Sequence, residues 1–126
     1  PLAVLCLHGF GASGLSFEGL LPGLPEALAP CSAVLCPDQV GFGLTDRPAL
    51  SIRGGPGGDP QEEPYVPLGY AGLAEELLEA ELGGERARGP LLVVGHSLGA
   101  IAASAVAARQ SAVRDVTLVL VGPAFL

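Results

Sequence analysis

Four short apolar runs, at residues 3–7, 33–36, 91–94 and 116–121, constrain this chain more than any other feature. Each has the length of one strand and is nearly continuous in aliphatic residues and cysteine, with almost no alternation. Such runs suit strands covered on both faces, as in a parallel sheet sandwiched between helices. Helix-like segments lie between them. Residues 16–28 carry Phe17, Leu20, Leu21, Leu24 and Leu28 at helical spacing, although Pro22 and Pro25 must kink or shorten that helix. Residues 68–82 set Leu73, Leu77, Leu78 and Leu82 against Glu75, Glu76 and Glu79, and stop at Gly83-Gly84. Residues 98–109 are Ala-rich and apolar nearly all round, which predicts deep burial. The alternation of strand and helix, closing on a strand, predicts an α/β fold: a mostly parallel sheet flanked by helices.

Residues 51–67 break the pattern, with paired glycines, four prolines and little apolar content. A segment so poor in apolar surface cannot order itself by burial, and it reads as a surface insertion because the pattern resumes after it. The 126 residues amount to about one domain. There is no Met, and both ends are apolar. The expectation is therefore a piece of a larger fold, an incomplete core domain over 1–126.

Six basic against thirteen acidic residues give a net charge of −7. Nucleic-acid binding needs a Lys/Arg stripe facing phosphates, and none is present. The acids cluster at 59–63 and 75–85, away from any His or Cys, so they read as solvated surface and not as a metal site. Cys6 and Cys36 lie in apolar runs as small buried hydrophobes, with Cys31 nearby. If Cys31 and Cys36 share a strand, about 16 Å separates them, beyond disulfide reach. Cys6 could pair only if the fold happened to bring it to another cysteine, so a reducing, intracellular setting is favoured. Residues 90–108 are uncharged and long enough to suggest a membrane span. His96 and Ser97 at their centre, between Gly95 and Gly99, split them into a strand and a helix instead. No transmembrane segment is expected.

The chemistry resides in that split. Gly95-His96-Ser97-Leu98-Gly99 places Gly-x-Ser-x-Gly directly after a strand and directly before a helix. The turn must be tight, which forces Ser97 into a strained backbone and requires small residues at 95 and 99. The Ser97 hydroxyl then stands at the carboxyl end of the sheet, beside a helix amino terminus that favours a developing oxyanion. The Leu98 amide becomes one oxyanion donor. The plain alternative is a Gly-Ser turn with no chemistry. A different alternative comes from Gly9-x-Gly11-x-x-Gly14 after the first strand, with Asp38 after the second, which matches a dinucleotide-binding fingerprint. His8 would crowd such a phosphate turn, Pro22 and Pro25 disrupt its helix, and residues 95–99 would stay unexplained.

Two further stretches complete a resemblance. His8-Gly9-Phe10-Gly11 follows the first strand, and Asp38-Gln39-Val40-Gly41-Phe42-Gly43-Leu44-Thr45-Asp46-Arg47-Pro48 follows the second. With the Ser97 turn they occur in an order and spacing that resemble the serine-nucleophile branch of the α/β-hydrolase superfamily. The resemblance implies that the Phe10 amide is the second oxyanion donor. It also implies that His8 and Asp38 are structural, and that the strands are the family's third to sixth, in spatial order 4-3-5-6. By the same resemblance the catalytic acid and histidine follow Leu126, and a cap domain commonly follows the sixth strand. Within 1–126, His96 should point away from the hydroxyl, and Asp115 lies at the wrong end of the sheet. Residues 1–126 alone are therefore expected to turn over no activated ester. The implied activity is acyl chemistry on a small ester, thioester or amide, with neither cofactor nor metal. A non-catalytic receptor or scaffold of the same fold is the competing expectation.

Overall fold

The computed structural model describes residues 1–28, 31–47, 65–84 and 88–125. Four strands form one sheet: β1 (Leu2–Leu7), β2 (Cys31–Leu35), β3 (Leu91–His96) and β4 (Val116–Val121). Helices α1 (Leu24–Ala27), α2 (Pro67–Leu82) and α3 (Gly99–Gln110) and a 3₁₀ turn at Gly14–Phe17 connect them. Every pairing is parallel and the order is β2-β1-β3-β4, which is the expected 4-3-5-6 arrangement. Parallel neighbours each require a return crossover, so all four carboxyl ends lie along one rim of the sheet.

The continuous apolar run of β1 is explained by its two faces. Leu5 and Leu7 pack against Tyr70, Leu78 and Val106 on the side of α2 and α3. Val4 and Cys6 pack with Phe17 and Val94 on the other side. Removing each such aliphatic side chain from water stabilises the fold by about 1.5–3 kcal/mol. The expectation of two-faced burial fails for β4, where Leu118, Val119 and Val121 are 37%, 42% and 47% exposed. Among the described residues β4 has a strand, β3, on one side only.

The single helix expected over 16–28 is also corrected. The chain makes the 3₁₀ turn, further turns, and then only the four-residue α1. A proline offers no amide hydrogen and crowds the preceding turn, so Pro22 and Pro25 between them leave no room for a longer helix. Pro67 opens α2 one residue earlier than expected, at the first helical position, where its fixed φ is an advantage. Of the Gly/Pro-rich segment, residues 51–64 lie outside the described residues.

Burial of α3 on all sides is not observed. Ala100, Ala102, Ala103, Val106 and Ala107 are buried, Ile101, Ser104 and Ala105 half-buried, and Ala108 exposed. A helix in the outer layer has one side that no sheet covers, and alanine tolerates that side. Glu75 ties α2 to α3 through Arg109 at 2.8 Å and Gln110 at 2.9 Å. Among the described residues, no helix is long and apolar enough to cross a membrane.

Candidate active site

Strands β1 and β3 end level, with Leu7 opposite Gly95. Beyond that point the chain turns through Ser97, whose φ is +51°, the one positive value among described residues other than glycine. A side chain in that left-handed region costs about 1–2 kcal/mol, so surrounding contacts must hold it there. They are visible in the main chain. The Ser97 amide donates to the Val121 carbonyl at 3.1 Å, and the Ser97 carbonyl accepts from Ala100 and Ala124 at 3.1 and 3.0 Å.

Close approach explains the glycines around it. A Cβ on Gly99 would collide with the carbonyls of Leu7 and His8, and one on Gly95 would lie 2.6 Å from the Ala103 Cβ. A Cβ on Gly9 would lie 2.9 Å from the Ser97 Cβ and 3.4 Å from its Oγ. The loop after β1 therefore rests directly against the serine. Phe10, next in that loop, has its ring 77% exposed and packed edge-on to Phe42 at 5.4 Å. Neither the Phe10 nor the Leu98 amide donates to a main-chain oxygen among the described residues. Leu98 is the N-cap of α3, where the helix end carries a partial positive charge.

His8 is fully buried, and both its ring nitrogens are occupied. Its Nε2 accepts from the Gln39 amide at 2.8 Å, which fixes the proton on Nδ1, and Nδ1 donates to the Gly9 carbonyl at 2.8 Å. Its ring lies 5.7 Å from that of Tyr70, whose hydroxyl donates to the Pro37 carbonyl at 2.9 Å. Burial pushes the Tyr70 phenol above its ordinary range, keeping it a neutral donor. His96, at the end of β3, is exposed.

Asp38 spans the loops that follow β1 and β2. Its Oδ1 accepts from the Gly14 amide at 2.7 Å and its Oδ2 from the Leu44 amide at 2.9 Å. The Thr45 hydroxyl donates to its carbonyl at 2.9 Å. The Gly14 and Leu44 bonds, in that order, hold the Asp38 carboxyl below the usual carboxylate range. The Gly14 amide, which a dinucleotide phosphate would need, is thus committed to Asp38. Tyr70 and the Gln39 amide escape a reading of the sequence. Tyr70 offered one weak signal, a hydroxyl among the apolar positions of α2, whereas a backbone amide offers none. Among the described residues, no three His, Cys, Asp or Glu side chains are grouped to hold a metal ion.

Residues 4–126 match the family model of the alpha/beta hydrolase family. The chain belongs to that family. Among solved structures it is similar to the peroxisomal alpha-beta-hydrolase Lpx1 of Saccharomyces cerevisiae, with a TM-score of 0.70 and 28% identity. That match covers 99% of this chain and 33% of the yeast protein, so this alpha/beta hydrolase chain spans about a third of the length of its structural relative. No curated protein matches it in sequence.

Proposed function

We propose that this chain supplies the nucleophile and oxyanion donors of a serine hydrolase acting on carboxylic esters or related acyl compounds. The observation carrying the reading is the left-handed backbone of Ser97, at φ +51°, with Gly9 pressed against its side chain. Strain on a side-chain-bearing residue persists where a fold aims that side chain, and here the loop that bears Phe10 lies beside it.

Ser97 Oγ attacks the acyl carbonyl carbon, and the carbonyl oxygen takes up negative charge between the Phe10 and Leu98 amides. The tetrahedral species collapses with loss of the alcohol, thiol or amine, leaving an acyl-serine. Water then attacks that ester and releases the acid. The serine proton goes to a histidine oriented by a carboxylate, both contributed from outside residues 1–126. His8 is not that base, since its ring is spent on Gln39 and Gly9. The exposed Phe10, next to the Gly9 that touches the serine, favours an apolar acyl group.

A fluorophosphonate probe tests the reading on the full-length protein. Wild type should be labelled covalently at Ser97 and the Ser97→Ala variant not at all. Equal labelling of the variant would refute it.

A further inference from the structure

Two cysteines whose spacing along the chain does not suggest a pair meet across the β1–β2 junction. The ladder between those strands sets Val4 against Val34 and ends with Leu5 against Leu35, and Cys6 and Cys36 are the residues that follow this last pair on the two chains. Both side chains fall on the same face, in the cluster around Val4, Phe17 and Val94. Neighbouring strands run about 4.8 Å apart, inside the Cα separation of about 4.4–6.8 Å that a disulfide spans. All three cysteines are free thiols, and those of Cys6 and Cys36 are close enough to share a hydrogen bond. Cys31 belongs to the opposite end of β2, beside Leu2.

The two thiols are unequal. Cys6 is fully buried whereas Cys36 is half-buried. The Cys6 hydrogen bond lowers the Cys36 thiol below its ordinary range, and the same contact with burial raises Cys6. Cys36, the less buried of the two, is thus the sulfur that a small oxidant can reach.

We infer that Cys6 and Cys36 form a reversible oxidation site for small hydroperoxides, with Cys36 the attacking sulfur and Cys6 the resolving one. The Cys36 thiolate attacks hydrogen peroxide: an S–O bond forms, the O–O bond breaks, and hydroxide leaves. The Cys6 sulfur then attacks the sulfenic sulfur. An S–S bond forms, the S–O bond breaks, and water leaves with the Cys6 proton. Two thiols are oxidised as one peroxide is reduced to two waters, and an external dithiol reverses the step. The cross-link would close two residues before His8 and three before Gln39, whose amide holds that ring, and so beneath the loop that rests on Ser97. The site is independent of acyl chemistry at Ser97, and its test needs no turnover.

The full-length protein is exposed to equimolar hydrogen peroxide, blocked with N-ethylmaleimide, digested and analysed by mass spectrometry. The expected product is a Cys6–Cys36 linked peptide pair that disappears on treatment with dithiothreitol, while Cys31 is recovered alkylated. In Cys6→Ser, Cys36 should instead stop at the sulfenic acid with one equivalent of peroxide and advance to the sulfinic acid when a second equivalent is added. Recovery of wild-type Cys36 as free thiol or sulfinic acid, with no link to Cys6, overturns the inference. That wild-type result stands whether or not the variant folds.

Discussion

The turns after β2 and β3 lie along the same rim of the sheet and solve one problem, reversing a chain sharply, in opposite ways. After β2 the left-handed positions are Gly41 and Gly43, at φ +88° and +55°, where no side chain resists. The Asp38 carboxylate and the Thr45 hydroxyl tie that loop down. After β3 the left-handed position is Ser97, which carries a side chain and is held by main-chain bonds from Val121 and Ala124. The first turn is relaxed and secured by polar side chains. The second is strained and secured by backbone, which leaves its side chain unencumbered. A fold accepts strain of that kind where a hydroxyl must be aimed, and avoids it where only a bend is required.

Substitutions that exchange the features of the two turns sharpen the contrast. The largest effect belongs to Ser97→Ala in the full-length protein. Hydrolysis of a nitrophenyl ester should fall by at least about 10³-fold, with urea stability within about 0.5 kcal/mol of wild type. Loss of activity accompanied by a large loss of stability would mean that Ser97 is a structural residue. Asp38→Ala strips two amides of their charged acceptor and should lower urea stability by about 2–3 kcal/mol.

The same carboxylate sets an acid limit. Its folded pKa lies below the ordinary 3.8, so its contribution is complete above that value and is lost as pH falls through the lower folded one. Acid titration of stability below about pH 4 should therefore be shallower in Asp38→Ala than in wild type. Gly43→Ala puts a Cβ at φ +55° and against the Asp38 carboxylate, and a loss of about 1–2 kcal/mol is expected in urea. The smallest effect has the opposite sign. Ser97→Gly relieves the strain and should raise urea stability by about 0.5–1 kcal/mol while abolishing probe labelling. A destabilised Ser97→Gly would remove the argument that the turn is strained.

Much of this was legible because strand burial and tight turns each leave a local mark. The runs at 3–7 and 91–94 predicted a two-faced sheet centre, and Gly95 and Gly99 marked the close packing of β3 on α3. The run at 116–121 looked the same and is half open among the described residues, because cover is supplied by neighbouring elements and not by the strand's own residues. Pro22 and Pro25 signalled a disrupted helix without saying how little of it would survive. The supports of the loop after β1 were hidden for another reason. Gln39 acts through its amide, Tyr70 sits far along the chain from the His8 it contacts, and Cys6 meets Cys36 only through strand register.

The hold on Ser97 reaches past β4. Since Val121 and Ala124 grip the amide and carbonyl of the serine itself, the end of β4 works as a latch on Ser97. If that strand peels away, the backbone is released to slide into a comfortable geometry, and the hydroxyl swings off target before the sheet centre melts. On gradual heating of the full-length protein, reactivity should fade ahead of circular-dichroism loss, so that chemical competence reports on how firmly β4 is docked.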